Sequence, residues 1–290
     1  MGNGPRIAKS CYHLLKRIPR AFHPILEPGN LEIHLSHGCN LKCDGCSHYS
    51  NQGHNGLLSL EEGEHWMGLW RGRIRPRIIT LLGGEPALNP NLTSFFLLAR
   101  KYWPSATLRV TTNGFLLHRH PGLGEILGRD PNAVLYLSIH HDSREYRDTL
   151  APTIRLLEGW EKKYGVRVKR LDSFSSWTRR YLGYGAEMEP FSDGNPRLSW
   201  ESCVAKGQMQ LHMGKLWKCV PLAYLGIQDA HYGLPERWKP YLAYKPLDPG
   251  CSKKALRAFL RREDEPVCGM CPARPQKMDI PLPIPASDTV

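Results

Sequence analysis

The chain has 290 residues, 41% of them hydrophobic, and no apolar run nears the ~20 residues of a membrane span, which argues against a helical membrane protein. Its net charge is +12, from 39 Lys and Arg against 27 Asp and Glu. The charge is dispersed and forms no basic stripe interleaved with aromatics, so no nucleic-acid interface is expected; an acidic protein partner or an anionic substrate would fit.

Residues 1–30 read as a basic extension without a signal-peptide apolar segment, closed by the turn at Pro28-Gly29, and a cytoplasmic protein is expected. Strands and helices then alternate. A strand over 31–37 leads into a cysteine-bearing loop. Ser59-Leu60-Glu61-Glu62 is a capping box that opens a helix. A strand over 77–82 ends at Gly83-Gly84. Asn89 and Pro90 read as the N-cap and first residue of a helix striped with Leu92, Phe95, Phe96 and Ala99. Strands follow at 107–112, 133–139 and 165–171, with a helix over about 143–163 between the last two. This alternation predicts an α/β fold with a parallel sheet. Residues 183–200, rich in Gly, Pro and Asp, read as a linker. Beyond it, 208–211 and 215–220 read as a hairpin turning at Met213-Gly214, and 252–262 as a helix.

The nine cysteines point to metal binding or catalysis rather than disulfides in a cytoplasmic chain. Cys11 stands alone. Cys39, Cys43 and Cys46 are spaced C-x3-C-x2-C, and five more lie in the last third. Three thiolates this close can hold three corners of a cubane iron–sulfur cluster and leave one iron open to a small molecule. Zinc is the alternative, with His37 or His48 supplying a fourth ligand.

The spacing resembles the signature of the radical S-adenosylmethionine (SAM) superfamily, and Gly83-Gly84-Glu85-Pro86 matches that superfamily's GGEP motif. The resemblance implies a partial (β/α)6 barrel over 31–200, with Cys39, Cys43 and Cys46 holding a [4Fe-4S] cluster whose open iron binds SAM. It implies that Gly83 and Gly84 let the backbone approach SAM, that Glu85 accepts from the methionine ammonium, and that Ser138 and Asn113 lie near the ribose. Many members of the superfamily carry an aromatic before the third cysteine, where this chain has Gly45.

Residues 201–290 resemble the twitch domain, a small β-hairpin and helix unit that binds an auxiliary [4Fe-4S] cluster. The matching ligands are Cys203, Cys219, Cys268 and Cys271. A four-cysteine zinc knuckle shares that ligand chemistry.

Cys251 is left over, just before the helix capped by Ser252. A free thiol can donate a hydrogen atom to a carbon radical, and radical SAM epimerases acting on antibiotic sugars use this device. The layout is similar, so an epimerase of a carbohydrate-type substrate is expected, with Cys251 returning the hydrogen and a flavodoxin or ferredoxin supplying electrons. A twitch-type dehydrogenase and a modifier of ribosomal peptides are the alternatives. His140, His141, Asp172 and Ser173, at strand ends, are candidate substrate contacts.

Overall fold

The computed structural model describes residues 25–282. Cys11, most of the N-terminal extension and the end of the tail lie outside them. No described helix is long and apolar enough to cross a membrane.

Seven strands form one sheet: β1 (Asn30–His34), β2 (Ile78–Leu82), β3 (Thr107–Thr112), β4 (Ala133–Ile139), β5 (Val168–Asp172), β6 (Gln208–His212) and β7 (Lys215–Trp217). Their order is β5-β4-β3-β2-β1-β6-β7. Every neighbouring pair from β5 to β6 is parallel, and only β7 is antiparallel. This is the expected α/β partial-barrel sheet. Its sixth parallel strand comes from an unexpected place. β6 is the first arm of the C-terminal hairpin, and it pairs with β1 from Asn30↔Gln208 to Ile33↔Leu211. The hairpin and the barrel therefore share one sheet.

Strand alternation sorts the side chains into two layers. Leu31, Ile33, Ile79, Leu81, Leu108, Val110, Leu135 and Leu137 are all at 0% exposure in the main core. Residues of the other parity face inward. There Gln210, Glu32, Thr80 and Arg109 form one row in register across four strands. Apolar burial on the outer layer drives the fold, at roughly 25 cal/mol per Å².

The helices are α1 (Leu60–Trp70), α2 (Leu92–Tyr102), α3 (Leu123–Arg129), α4 (Arg144–Tyr164), α5 (Pro196–Glu201), α6 (Val220–Tyr232), α7 (Lys239–Leu242) and α8 (Lys253–Leu260). The capping box at α1 forms: Ser59 Oγ accepts from Glu62 N at 3.2 Å and Ser59 N donates to Glu62 Oε2 at 3.3 Å. Three expectations change. Asn89 does not cap α2. It is buried, and its Nδ2 donates to the carbonyls of Leu35 and Leu58, both at 2.9 Å, tying the cluster loop to the helix layer. The expected strand 215–220 stops at Trp217, and Val220-Pro221 opens α6, with proline at a first-turn position where its missing N–H is harmless. The expected linker contains α5, capped by Asn195 through Leu198 N at 3.0 Å. A second core gathers Tyr49, Tyr181, Met188 and Trp238 around α6, beside both cysteine regions.

Helices α1 and α2 meet where Gly63 leaves room for Phe95: a Cβ at Gly63 would lie 2.4 Å from the Phe95 ring. Phe95→Ala should lower unfolding free energy by about 3–5 kcal/mol. Urea denaturation followed by circular dichroism measures this; a loss under about 1 kcal/mol would contradict the packing.

Candidate active site

The cluster loop is clamped to the ends of β1 and β2. Leu35 N donates to Leu82 O at 2.7 Å, Gly84 N to Ser36 O at 2.8 Å and Glu85 N to Gly38 O at 3.0 Å. The glycines are required by this approach. A Cβ at Gly83 would sit 2.5 Å from Ser36 O, and one at Gly84 2.1 Å from Gly38 O.

Glu85 is fully buried, and its carboxylate is already engaged within the chain. Oε1 accepts from Ala87 N at 2.9 Å and Thr112 Oγ1 at 2.6 Å, and Oε2 accepts from Asn113 N at 2.8 Å. Burial raises its pKa to about 7, against the lowering effect of these donors. The carboxylate thus joins the ends of β2 and β3. Asn113 carries the link onward, donating from Nδ2 to Asn40 Oδ1 at 2.7 Å and lying 3.7 Å from Cys39 Sγ. Ser138 is buried near the end of β4.

Burial pushes the thiols of Cys39, Cys43 and Cys46 up, and for Cys39 and Cys43 their neighbouring cysteines add to the rise. Backbone N–H groups of His48, Ser50, Asn51 and Tyr49 face the Cys46 sulfur and oppose that rise. Three mutually repelling thiolates beside a nest of amides suit a cationic metal group, which would hold them ionised. Gly45 has φ +68°, and a Cβ there would meet Arg179 Cγ at 3.0 Å and Met278 Sδ at 3.4 Å. Any larger side chain at this point would press on the Arg179 and Met278 side chains and would need the left-handed backbone that favours glycine.

The second cysteine set comes together at the other end of the sheet. Cys203, Cys219, Cys268 and Cys271 line one cavity of about 120 Å³. Cys203 follows α5 and Cys219 precedes α6, while Cys268 and Cys271 flank a turn in which Cys271 N donates to Cys268 O at 3.2 Å. Burial raises Cys219, and Cys271, Cys203 and Cys268 raise it further. Four thiols line this one void and offer the donor chemistry a second metal group would take, but their sulfurs are not drawn together around one point. Among the described residues, no three His, Cys, Asp or Glu converge on a single metal ion.

Between the sets lies a cavity of about 290 Å³ bounded by the inner face of the sheet. Ser47 and His48, just past the first set, line it, as do Cys203, Cys219 and Cys271 of the second. Its walls also carry Glu32, Thr80, Arg109, Tyr136 and Arg180, none of which the motif reading selected. Strand parity was the available signal, because Glu32 interrupts the apolar Leu31-Glu32-Ile33. Glu32 accepts from Gln210 Nε2 at 2.6 Å and Asn30 Nδ2 at 2.9 Å. Burial raises its pKa to about 7; Gln210, Arg109 and Asn30 act against the rise.

A histidine group borders the first set. His34 Nδ1 and His37 Nδ1 are 3.0 Å apart, His34 stacks on His48, and His212 stands edge-on to His37. Burial keeps these rings neutral, with His37 and His48 at about 4 and His212 at about 3.

Four of the expected contacts lie off the cavity wall. Asp172 is exposed and Ser173 half-buried at the edge strand. His141 Nδ1 accepts from Ser143 N at 3.0 Å, and the His140 ring packs edge-on against Trp177. Cys251 lines neither cavity. Arg73 donates to its carbonyl and lies 3.5 Å from its Sγ. Arg73 precedes β2, at the sheet end opposite the cluster loop.

Residues 33–171 match the model of the Radical SAM superfamily. A GTP 3',8-cyclase of Shewanella denitrificans is 30% identical over 92 residues, which cover 31% of this chain and 27% of that protein. One from Photorhabdus laumondii is 32% identical over 95 residues, 31% of this chain and 28% of that protein. The chain thus spans under a third of these curated relatives. Among solved structures, BtrN in complex with AdoMet and 2-DOIA aligns with TM-score 0.45 and 17% identity, over 84% of this chain and 92% of that one. Streptococcus suis SuiB bound to precursor peptide SuiA aligns with TM-score 0.42 and 20% identity, over 58% of this chain and 38% of that one.

Gly84→Ala should separate the GGEP turn from the cluster loop. The expected result is iron lost from the first site with far-UV circular dichroism retained. Full iron binding by this variant would show that the close approach is dispensable.

Proposed function

We propose that this protein is a radical SAM enzyme with two [4Fe-4S] clusters that oxidises a carbinol carbon of a polar, carbohydrate-type substrate held in the barrel cavity. The observation that carries this reading is one cavity that Cys203, Cys219 and Cys271 of the second set line and that reaches Ser47 and His48, just past the first set. Cys39, Cys43 and Cys46 would hold the SAM-binding cluster, and Cys203, Cys219, Cys268 and Cys271 the auxiliary one. When bound, these groups supply a 5′-deoxyadenosyl radical that takes a hydrogen atom from carbon, and an acceptor for one electron. Oxidation of H–C–O–H to C=O then balances: one hydrogen atom to the radical, one proton to a base, one electron to the auxiliary cluster.

Glu32 is the base in this reading. Its carboxylate lines the cavity, and Gln210 and Asn30 fix its orientation. A pKa near 7 suits proton transfer at neutral pH. Gly83, Gly84 and Asn113 shape the SAM side of the site, with Ser138 at the neighbouring strand end. Glu85 acts by joining the ends of β2 and β3, since its oxygens already have three donors in the chain.

The epimerase expected from the sequence needs Cys251 at the substrate radical. Cys251 instead lies beside Arg73, outside both cavities, and this favours oxidation over hydrogen return. His140, His141, Asp172 and Ser173 are assigned to the rim or to structure. Electrons for SAM cleavage would come from a flavodoxin or ferredoxin, which the +12 charge suits.

Cys39→Ala should abolish 5′-deoxyadenosine formation in the dithionite-reduced protein. Turnover in deuterated water separates the two reactions: oxidation gives a product two mass units lighter with no deuterium at the reacting carbon, and epimerisation gives an unchanged skeleton with one deuterium there. Deuterium incorporation that vanishes in Cys251→Ala would overturn the oxidation reading.

Glu32→Gln should keep 5′-deoxyadenosine formation and lower oxidised product by about 10²–10⁴-fold. Glu32 also affects stability. Between the ordinary carboxylate value and about 7 it is protonated when folded and ionised when unfolded, so folding binds a proton. Its contribution therefore weakens as pH rises from about 4.5 through 7. The urea midpoint should fall less steeply across that window in Glu32→Gln than in the wild type.

A further inference from the structure

The strongest unexplained feature of the cavity is cationic. Arg180 is only 5% exposed, yet neither Nη1 nor Nη2 has a hydrogen-bond partner among the described residues. Arg109 Nε, on the cavity wall formed by β3, is likewise buried without a partner. The Arg109 guanidinium stacks over the Tyr136 ring, 4.3 Å from its centroid, which holds its plane without satisfying its N–H donors. Buried guanidinium donors left unpaired are costly, and a native fold retains them where a ligand completes them. Only one carboxylate, Glu32, lines the same cavity. It already accepts from two amides and interacts with Arg109, so no carboxylate on the cavity wall is left for Arg180.

We propose that Arg180 and Arg109 form an oxyanion-binding subsite, so that the substrate carries a phosphate ester or a carboxylate. This rests on the reading of the cavity as the substrate site and narrows the substrate class from polar to anionic. Planar guanidinium forks match the paired oxygens of either group. The anion would anchor one end of the substrate and leave its carbinol near Glu32. Arg180 also interacts favourably with Cys271, so a rival role exists within this chain: compensating the auxiliary thiolates.

The test uses the reconstituted, cluster-loaded full chain and two probes, inorganic phosphate and acetate, titrated by calorimetry at low salt. Saturable binding of either supports the subsite, and the tighter probe identifies the group. Arg180→Gln should weaken that binding by about 10–100-fold, the usual effect of losing a charge-assisted pair, with iron held at about eight per chain. Arg109→Gln should weaken it too. No saturable binding of either probe, unchanged affinity in Arg180→Gln, or loss of about half the iron in that variant would overturn the proposal. Wild-type protein that binds phosphate but forms no 5′-deoxyadenosine would sink the enzyme reading and leave the anion subsite standing.

Discussion

The contact between the Gly83-Gly84 turn and the backbone of Ser36–Gly38 underlies the rest of the site. Two main-chain hydrogen bonds, Gly84 N to Ser36 O and Glu85 N to Gly38 O, press the loop of the first cysteines onto the end of β2. The approach is so close that any side chain at position 84 would enter the Gly38 carbonyl. Glu85 extends the clamp to β3, and Asn113 returns it to Asn40 and Cys39. Three strand ends are thus locked around one loop. Desolvating the Glu85 carboxylate opposes folding, and three short hydrogen bonds offset much of that penalty.

A second constraint is the use of both sheet faces. The outer layer is apolar and supplies the driving force. The inner layer gives up that gain to carry Gln210, Glu32, Thr80 and Arg109 in one row. Buried polar groups persist when they are mutually bonded, as Glu32 is with Gln210 and Asn30, and Asn30 with Thr80. Arg180 breaks that pattern, which is why it points to a ligand. The loop after the first cysteines spans the space between the two cysteine sets. Tyr49 has φ +58°, donates to Pro221 O at 3.3 Å and packs in the core beside Cys219 and Cys271.

Much of this was legible in the sequence, for identifiable reasons. Strand positions followed from apolar runs ended by turn residues, and the capping box at Ser59 formed as read. Long-range pairing was not legible: nothing local says that Gln208–His212 lies beside β1 instead of forming an independent hairpin. Asn89 looked like a cap because caps and buried side chain–backbone ties use the same amide. The four C-terminal cysteines were grouped by their resemblance to the twitch domain, and all four line one cavity, while the place of Cys251 beside Arg73 depends on long-range packing that no local pattern encodes. The cavity residues escaped because they belong to no motif. Strand parity flags them only once the inward face is known.

The central claim of the proposed function is that one chain holds two separate iron–sulfur sites, with only the first open to SAM. Mössbauer and electron paramagnetic resonance spectra of ⁵⁷Fe-reconstituted protein, recorded with and without SAM, test it most directly. The account requires two [4Fe-4S] signals, one shifted by SAM and absent when Cys43 is replaced, the other unaffected by SAM and absent when Cys219 is replaced. A single cluster, or zinc in place of iron at Cys203, Cys219, Cys268 and Cys271, would contradict it.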